Sequence, residues 1–135
     1  MPNGNHRLDV ECNRSKFAFA HRTHTDSPNY DAMVKKLPAY IQTNGLVYTL
    51  AFLHKKDPGL YDTLWKWHCN ATDNFNQLTS LASKSKEAFL RVVVNDLEDD
   101  EIRRLTMETL ALLNWLKRFV TEDEASQTPE TNGEN

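Results

Sequence analysis

Residues 99–120 read DDEIRRLTMETLALLNWLKRFV, and this stretch decides the fold class. At about 100° per residue its large apolar side chains fall on one face, which is the pattern of an amphipathic helix. Acidic residues lie at 98–101, and Lys117 and Arg118 lie near the other end, so both ends complement the helix dipole. The pattern predicts a helix of about 33 Å. Its apolar face comprises Ile102, Leu105, Leu112, Leu113, Leu116, Phe119 and Val120.

Two apolar stripes on opposite faces share the stretch 27–57. The first runs to Ile41 and the second begins at Leu46. A change of face within one stretch is typical of a kinked central helix that is packed on both sides. We expect the break near Pro38 and Gly45, with Ser27-Pro28 as the start of the helix.

Residues 60–78 and 89–97 carry two further stripes with helical spacing. Val92-Val93-Val94 favours a strand locally, but a single strand would have no partner in a helical chain. A first helix is predicted to begin at Lys16. The sequence therefore predicts an all-α fold, a single bundle of about five to six helices with a kinked central helix.

The chain has 135 residues, 39% hydrophobic and 26% charged, which fits one globular domain. We expect a flexible segment over residues 1–14, the helical bundle domain over 15–120 and a disordered acidic tail over 121–135. No apolar run approaches the roughly 18 residues of a membrane span, and the polar N-terminus does not resemble a secretory signal. A cytoplasmic protein with no membrane contact is therefore expected.

Glycine, cysteine and histidine usage excludes several kinds of site. There are four glycines and no Gly-rich phosphate loop, which excludes the common nucleotide-binding enzymes. Cys12 and Cys69 are expected to be free thiols in a reducing compartment. His21 and His24 could share a helix face, yet no histidine in the body of the chain follows an acidic residue by three positions, as di-iron bundles require. We expect no metal and no cofactor.

Two alternatives of other functional classes stay open. His54, beside Lys55 and Lys56, could transfer a phosphoryl group in a helical signalling domain, although histidine and lysine commonly satisfy the last carbonyls of a helix. A helical adaptor that binds protein but no nucleic acid is the second alternative. Trp65 is expected to be free at the surface, whereas Trp67 belongs to an apolar stripe and hence to the core.

Positive charge is concentrated in part of the chain. Residues 14–56 hold seven basic and two acidic side chains. Basic surfaces of this kind suit a polyanion such as an RNA backbone, although an ordinary solvated face has the same pattern. A second polar ridge lies opposite the apolar face of the 99–120 helix and comprises Arg103, Arg104, Asn114 and Arg118.

Two stretches of the sequence carry the motifs of a known family. The first is KKLPAYIQTNGL at residues 35–46, followed by TLAFL at 49–53, and the second is RRLTMETLALLNWLKRF at residues 103–119. The first resembles the signature, and the second the C-terminal helix, of the small subunit of type III-B CRISPR effector (Cmr) complexes. The sequence departs from the family at Ile102, where Tyr is frequent, and at Val120, where Ala is frequent. The two patterns stand in the family's order at opposite ends of the folded region.

This resemblance implies an all-α subunit with no catalytic role of its own, acting in antiviral defence. Such subunits stack head to tail with further copies of themselves, beside other subunits of the Cmr complex, along the groove that holds guide RNA and target RNA. It implies that polar and basic side chains hold RNA through its phosphates, independent of sequence. Those named from the matched stretches are Lys35, Lys36, Asn44, Lys117 and Arg118. Arg103 and Arg104 are candidates from the polar ridge, and Lys16 and Arg22 are added on charge alone.

Overall fold

A computed structural model of the protein describes residues 6–24 and 27–127. Within them the chain forms six α-helices and no strand, which confirms the predicted all-α fold. A π-helical turn, Lys66–Asn70, continues the fourth helix, and a short 3-10 turn, Thr79–Leu81, precedes the fifth. The six helices are α1 (His6–Ala20), α2 (Tyr30–Asn44), α3 (Leu46–Lys56), α4 (Pro58–Trp65), α5 (Lys86–Asn95) and α6 (Asp99–Gln127).

Helix α6 packs against both α1 and α2. The apolar face predicted from its sequence is the buried one, and it includes Leu105, Leu112, Leu113 and Leu116. Each leucine buried in this way contributes roughly 1.5–3 kcal/mol. The opposite face is left to solvent, so the polar ridge predicted there is exposed.

The central helix is broken in two, and the break lies at Gly45 instead of Pro38. Pro38 lies inside α2, whereas Gly45 separates α2 from α3. Gly45 has φ 86° and ψ 160°, a conformation that is open to glycine and strained for other residues. Its amide donates to the Ile41 carbonyl at 2.8 Å. The change of apolar face in the sequence is therefore produced by two separate helices.

The sequence predicts that Ser27 begins α2, and this prediction is wrong. The helix begins at Tyr30, and Ser27 is buried elsewhere: its Oγ accepts the backbone amide of Gly59 at 2.9 Å. A Cβ on Gly59 would lie 2.3 Å from that oxygen and 2.8 Å from His24 Nδ1. The absence of a side chain at Gly59 is what allows this loop to meet the start of α4.

The stripe predicted over 60–78 is only partly helical. Asp57 caps α4 by accepting the Leu60 amide at 3.1 Å, and the helical turns end at Asn70. The following loop is held by Asn74, whose side-chain amide donates to the Trp67 carbonyl at 3.1 Å. A helix that continued to residue 78 would place Phe75 in the core, whereas in the structure it is 54% exposed.

Helix α1 begins well before Lys16, so residues 6–14 are helical where the sequence predicts a flexible segment. Tertiary contacts account for this: Glu11 and Arg14 bond to side chains of α6. Helix α6 continues to Gln127, beyond the predicted boundary at 120. The rest of the predicted flexible segment and acidic tail, residues 1–5 and 128–135, lies outside the described residues.

Candidate nucleic-acid interface

The C-terminal end of α1, the residues that follow it and residues 115–119 of α6 form a surface of aromatic and arginine side chains. This surface is here called the arginine cluster (Phe19, Arg22, Trp115, Arg118, Phe119). The Arg22 guanidinium lies 3.8 Å from the centroid of the Phe19 ring. Phe19 meets Phe119 edge-on with ring centroids 5.2 Å apart. The Arg118 guanidinium lies 5.6 Å from the Trp115 ring. The fold thus brings Arg22 and Arg118, two predicted residues that are far apart in the sequence, to one surface.

These aromatic contacts orient the arginines without neutralising them. Arg22 also donates to the Phe19 carbonyl at 2.7 Å, and the Trp115 indole is fixed by its hydrogen bond to Glu11 at 2.7 Å. A stacked guanidinium keeps its charge and retains N–H donors for phosphate oxygens. Two further predicted residues, Lys16 and Lys117, are exposed on the same two helices.

A second surface, here called the acid-free face, lies on α2 and α3 within residues 32–56. This stretch contains four lysines and no acidic residue. Asp57, which follows, is only 2% exposed because it caps α4. Among the predicted residues Lys36 and Asn44 are exposed, while Lys35 is half-buried and points about 100° away from Lys36 around α2.

Sequence reasoning missed two lysines that share one carboxylate. Asp62 in α4 accepts Lys66 Nζ at 3.0 Å and Lys86 Nζ at 2.7 Å, and His24 Nε2 lies 3.8 Å away. Burial opposes the charge on Asp62, but the hydrogen bonds from both lysines outweigh it and hold the pKa of this carboxyl below its usual range. The spacing of Asp62 and Lys66 could have indicated the first pair. Lys86 comes from α5, and no local signal predicts its approach.

Arg103 and Arg104 are exposed at the start of α6, as predicted. Their surroundings are acidic, because residues 98–101 are all Asp or Glu. Arg104 Nη2 lies 3.6 Å from Asp100 Oδ2, one helical turn away. This end of α6 is therefore an unfavourable position for a polyanion.

The prediction that Trp65 is free at the surface is wrong. It is half-buried, its indole donates to the Lys84 carbonyl at 2.8 Å, and Lys86 Nζ lies 5.5 Å from its ring. Trp67 is a core residue, as predicted, with 1% of its surface exposed. The two tryptophans differ because only the side chain of Trp67 points into the bundle.

The histidines and cysteines of the described residues do not form a common site. His54 is exposed in the last turn of α3 and meets the Tyr61 ring edge-on at 4.9 Å. His68 is buried 2.8 Å from Thr109 Oγ1, and burial lowers its pKa to about 4. Cys12 is exposed, whereas burial raises the pKa of the Cys69 thiol to about 12. Within residues 6–24 and 27–127 no three metal-binding side chains come together.

A buried polar network, which the sequence did not predict, joins α1 to α6. The Glu108 carboxylate accepts Arg14 Nη2 at 2.7 Å and Nε at 2.8 Å, Trp67 Nε1 at 2.9 Å and Asn76 Nδ2 at 2.9 Å. Burial opposes the charged carboxylate, but these donors outweigh it and lower the pKa of Glu108. A cleft of 490 Å³ opens above this network, beside Met107. Because both oxygens are already bonded, Glu108 is a structural group.

The comparison with family models supports the resemblance seen in the sequence. The model described as CRISPR-associated protein (Cas_Cmr5) matches residues 13–122. That range contains both stretches that carry the resemblance, the arginine cluster and the acid-free face. No curated protein and no solved structure matches the chain. Among the helices that the structure describes, none has the length and apolar character needed to cross a membrane.

Proposed function

Because the chain belongs to the Cas_Cmr5 family of CRISPR-associated proteins and thus to a multi-subunit Cmr complex, we propose that it is a non-catalytic subunit that holds RNA by its phosphates. Its partners are guide RNA, target RNA, the other subunits of the complex and further copies of itself stacked head to tail. It acts in the cytoplasm, and the chemistry of RNA cleavage belongs to its neighbours.

The arginine cluster is the observation that carries this proposal. Arg22 and Arg118 reach one surface from opposite ends of the folded region, and each is held against an aromatic ring. Arginine is the residue best suited to planar, bidentate contact with phosphate. Phosphates carry no sequence information, as a subunit that must accept any target requires.

A salt titration of target-RNA binding by the reconstituted complex tests the proposal. The double variant R22Q/R118Q removes two charges from a surface outside the core, so we expect the subunit to fold and to be incorporated. Target binding should weaken, and the salt slope should fall by about 0.7 for each phosphate of a single strand that is no longer bound. The effect should be the same for unrelated target sequences.

The matched control is R103Q/R104Q, which also removes two arginines but from the acidic start of α6. We expect it to leave binding close to the wild type. An unchanged salt slope in a folded, incorporated R22Q/R118Q complex would contradict the proposal. A histidine phosphotransfer role predicts instead that substitution of His54, and not of the arginines, abolishes phosphoryl transfer.

A further inference from the structure

The acid-free face carries aromatic side chains as well as lysines. Tyr48, Phe52 and Lys56 are spaced by four residues in α3 and therefore form one row along the helix, with about 6 Å between neighbours along its axis. In α2, Lys36 and Tyr40 form a shorter row with the same spacing. Aromatic and basic groups thus share a row on both helices.

The two rows meet at a ring contact. Tyr40 and Phe52 have ring centroids 5.1 Å apart at an interplanar angle of 59°. Both rings are half-buried, so this pair fixes the position of the rows and still reaches the surface. Because only Gly45 separates α2 from α3, the chain turns back at the end where Tyr48 lies.

Tyr48 is the exposed one of the three aromatic side chains on this face, since Tyr40 and Phe52 are half-buried. It is 59% exposed, although a tyrosine buried against the bundle would add to stability. The other large exposed apolar side chains of the described residues, Phe19, Phe75, Val94 and Met107, all lie outside residues 32–56. Tyr48 therefore presents an accessible ring within the longest acid-free stretch of the sequence.

We propose that the acid-free face binds single-stranded RNA, with unpaired bases stacking on Tyr48 and on the Tyr40–Phe52 pair while Lys36 and Lys56 meet the flanking phosphates. A combination of aromatic rings and cations is the arrangement by which proteins bind single strands without sequence preference, because every base has a flat face. The absence of acidic groups from this stretch favours a polyanion over an ordinary polypeptide.

This inference rests on the proposed function, since both require RNA beside the subunit, but it makes a different physical claim. The arginine cluster holds phosphates, which both paired and unpaired strands possess. Stacking requires bases that are free of a duplex. The two proposals therefore differ in their dependence on salt and on strandedness.

The test uses the reconstituted complex with the variant Y48L, and its probes are an oligouridine and an RNA duplex of equal length. We expect oligouridine binding to weaken about tenfold, with an unchanged salt slope because every phosphate-binding side chain is retained. Duplex binding stays at the wild-type level. The variant Y48W, which keeps a stacking surface, restores oligouridine binding.

Photocrosslinking gives a direct readout. An oligouridine that carries 5-iodouridine should form a crosslink on the peptide containing Tyr48 or Tyr40, mapped by mass spectrometry. The control is F75L, which replaces a side chain of similar exposure outside α2 and α3 and should leave binding unchanged.

Two outcomes would overturn the stacking proposal alone. In the first, R22Q/R118Q lowers the salt slope while Y48L binds oligouridine normally and no crosslink forms on α2 or α3. In the second, Y48L prevents incorporation into the complex, which would identify the face as a protein interface. If neither Y48L nor R22Q/R118Q affects RNA binding, the proposed function falls together with this inference.

Discussion

The buried network around Glu108 and the acid-free face use charged and aromatic side chains in opposite ways. In the network the two charges are paired: Arg14 and Glu108 have side chains only 11% and 4% exposed, and Trp67 adds a further donor. On the acid-free face Lys36 and Lys56 are exposed, and no acid lies between them in the sequence. Arg14 and Glu108 thus bind each other inside the fold, whereas the ammonium groups of Lys36 and Lys56 are open to solvent.

Burial decides which of these roles a charge has. A charge removed from water must be paired and hydrogen-bonded, and removal of its partner leaves an uncompensated buried ion. A solvated lysine has no such dependence, since water hydrates its ammonium group whether or not a partner is present. Substitutions around Glu108 should therefore change the free energy of unfolding, whereas substitutions of the exposed lysines should change RNA binding.

The largest effect is expected from E108L, which leaves the Arg14 guanidinium buried without its main partner. Unfolding in denaturant should show a loss of about 3–5 kcal/mol in the free energy of unfolding. The double variant R14M/E108L should recover part of that loss, because it removes the unpaired charge but still leaves the buried Trp67 indole without its acceptor. A loss as large in the double variant would mean that packing, and not the unpaired charge, determines the effect.

A smaller effect concerns pH and His68, which lies beside the network. Burial lowers its pKa from 6.5 to about 4, so in the folded protein it is neutral at pH values where the unfolded chain is already protonated. Stability should therefore fall as the pH drops from 6.5 to 4, by about 3 kcal/mol in total from this group. H68Q should flatten the decline measured by denaturant unfolding at several pH values. An identical decline in H68Q would assign it to other groups.

The smallest effect on stability is expected on the acid-free face. The triple variant K36Q/K55Q/K56Q removes three exposed charges and should change the free energy of unfolding by less than about 0.5 kcal/mol. The same variant should lower the salt slope of RNA binding by the assembled complex. A large loss of stability would show that these lysines have structural partners and would remove the contrast between the two regions.

Much of the fold was predictable because apolar spacing is a local property. The 99–120 stretch and the stripes of residues 30–53 correctly identify buried faces of α6, α2 and α3. The ends of helices were less predictable, as at Ser27, whose hydroxyl accepts an amide from Gly59 instead of capping α2. The partner of such a hydroxyl depends on which segments meet in space, and a single sequence does not specify that.

In the candidate site, too, the sequence identifies candidate residues but not their partners in space. Charge counting placed Arg22 and Arg118 among the candidate residues, yet it could not show that both stack on aromatic rings of one surface. It also gave Arg103 and Arg104 equal weight, although neighbouring acids offset their charge. Lys86 was missed because its partner Asp62 lies in another helix.

The sequence by itself determined the helical class, the buried faces and the family, because periodicity and motifs are contained in consecutive residues. Only the tertiary structure decided which charges are paired. Arg14 and Glu108 are 94 positions apart, and nothing in either segment predicts their contact. The sequence predicts a break near Pro38 and Gly45, and only the fold shows that it lies at Gly45 while Pro38 stays inside α2. Long-range pairing depends on how helices pack, and that geometry exists only in the folded chain.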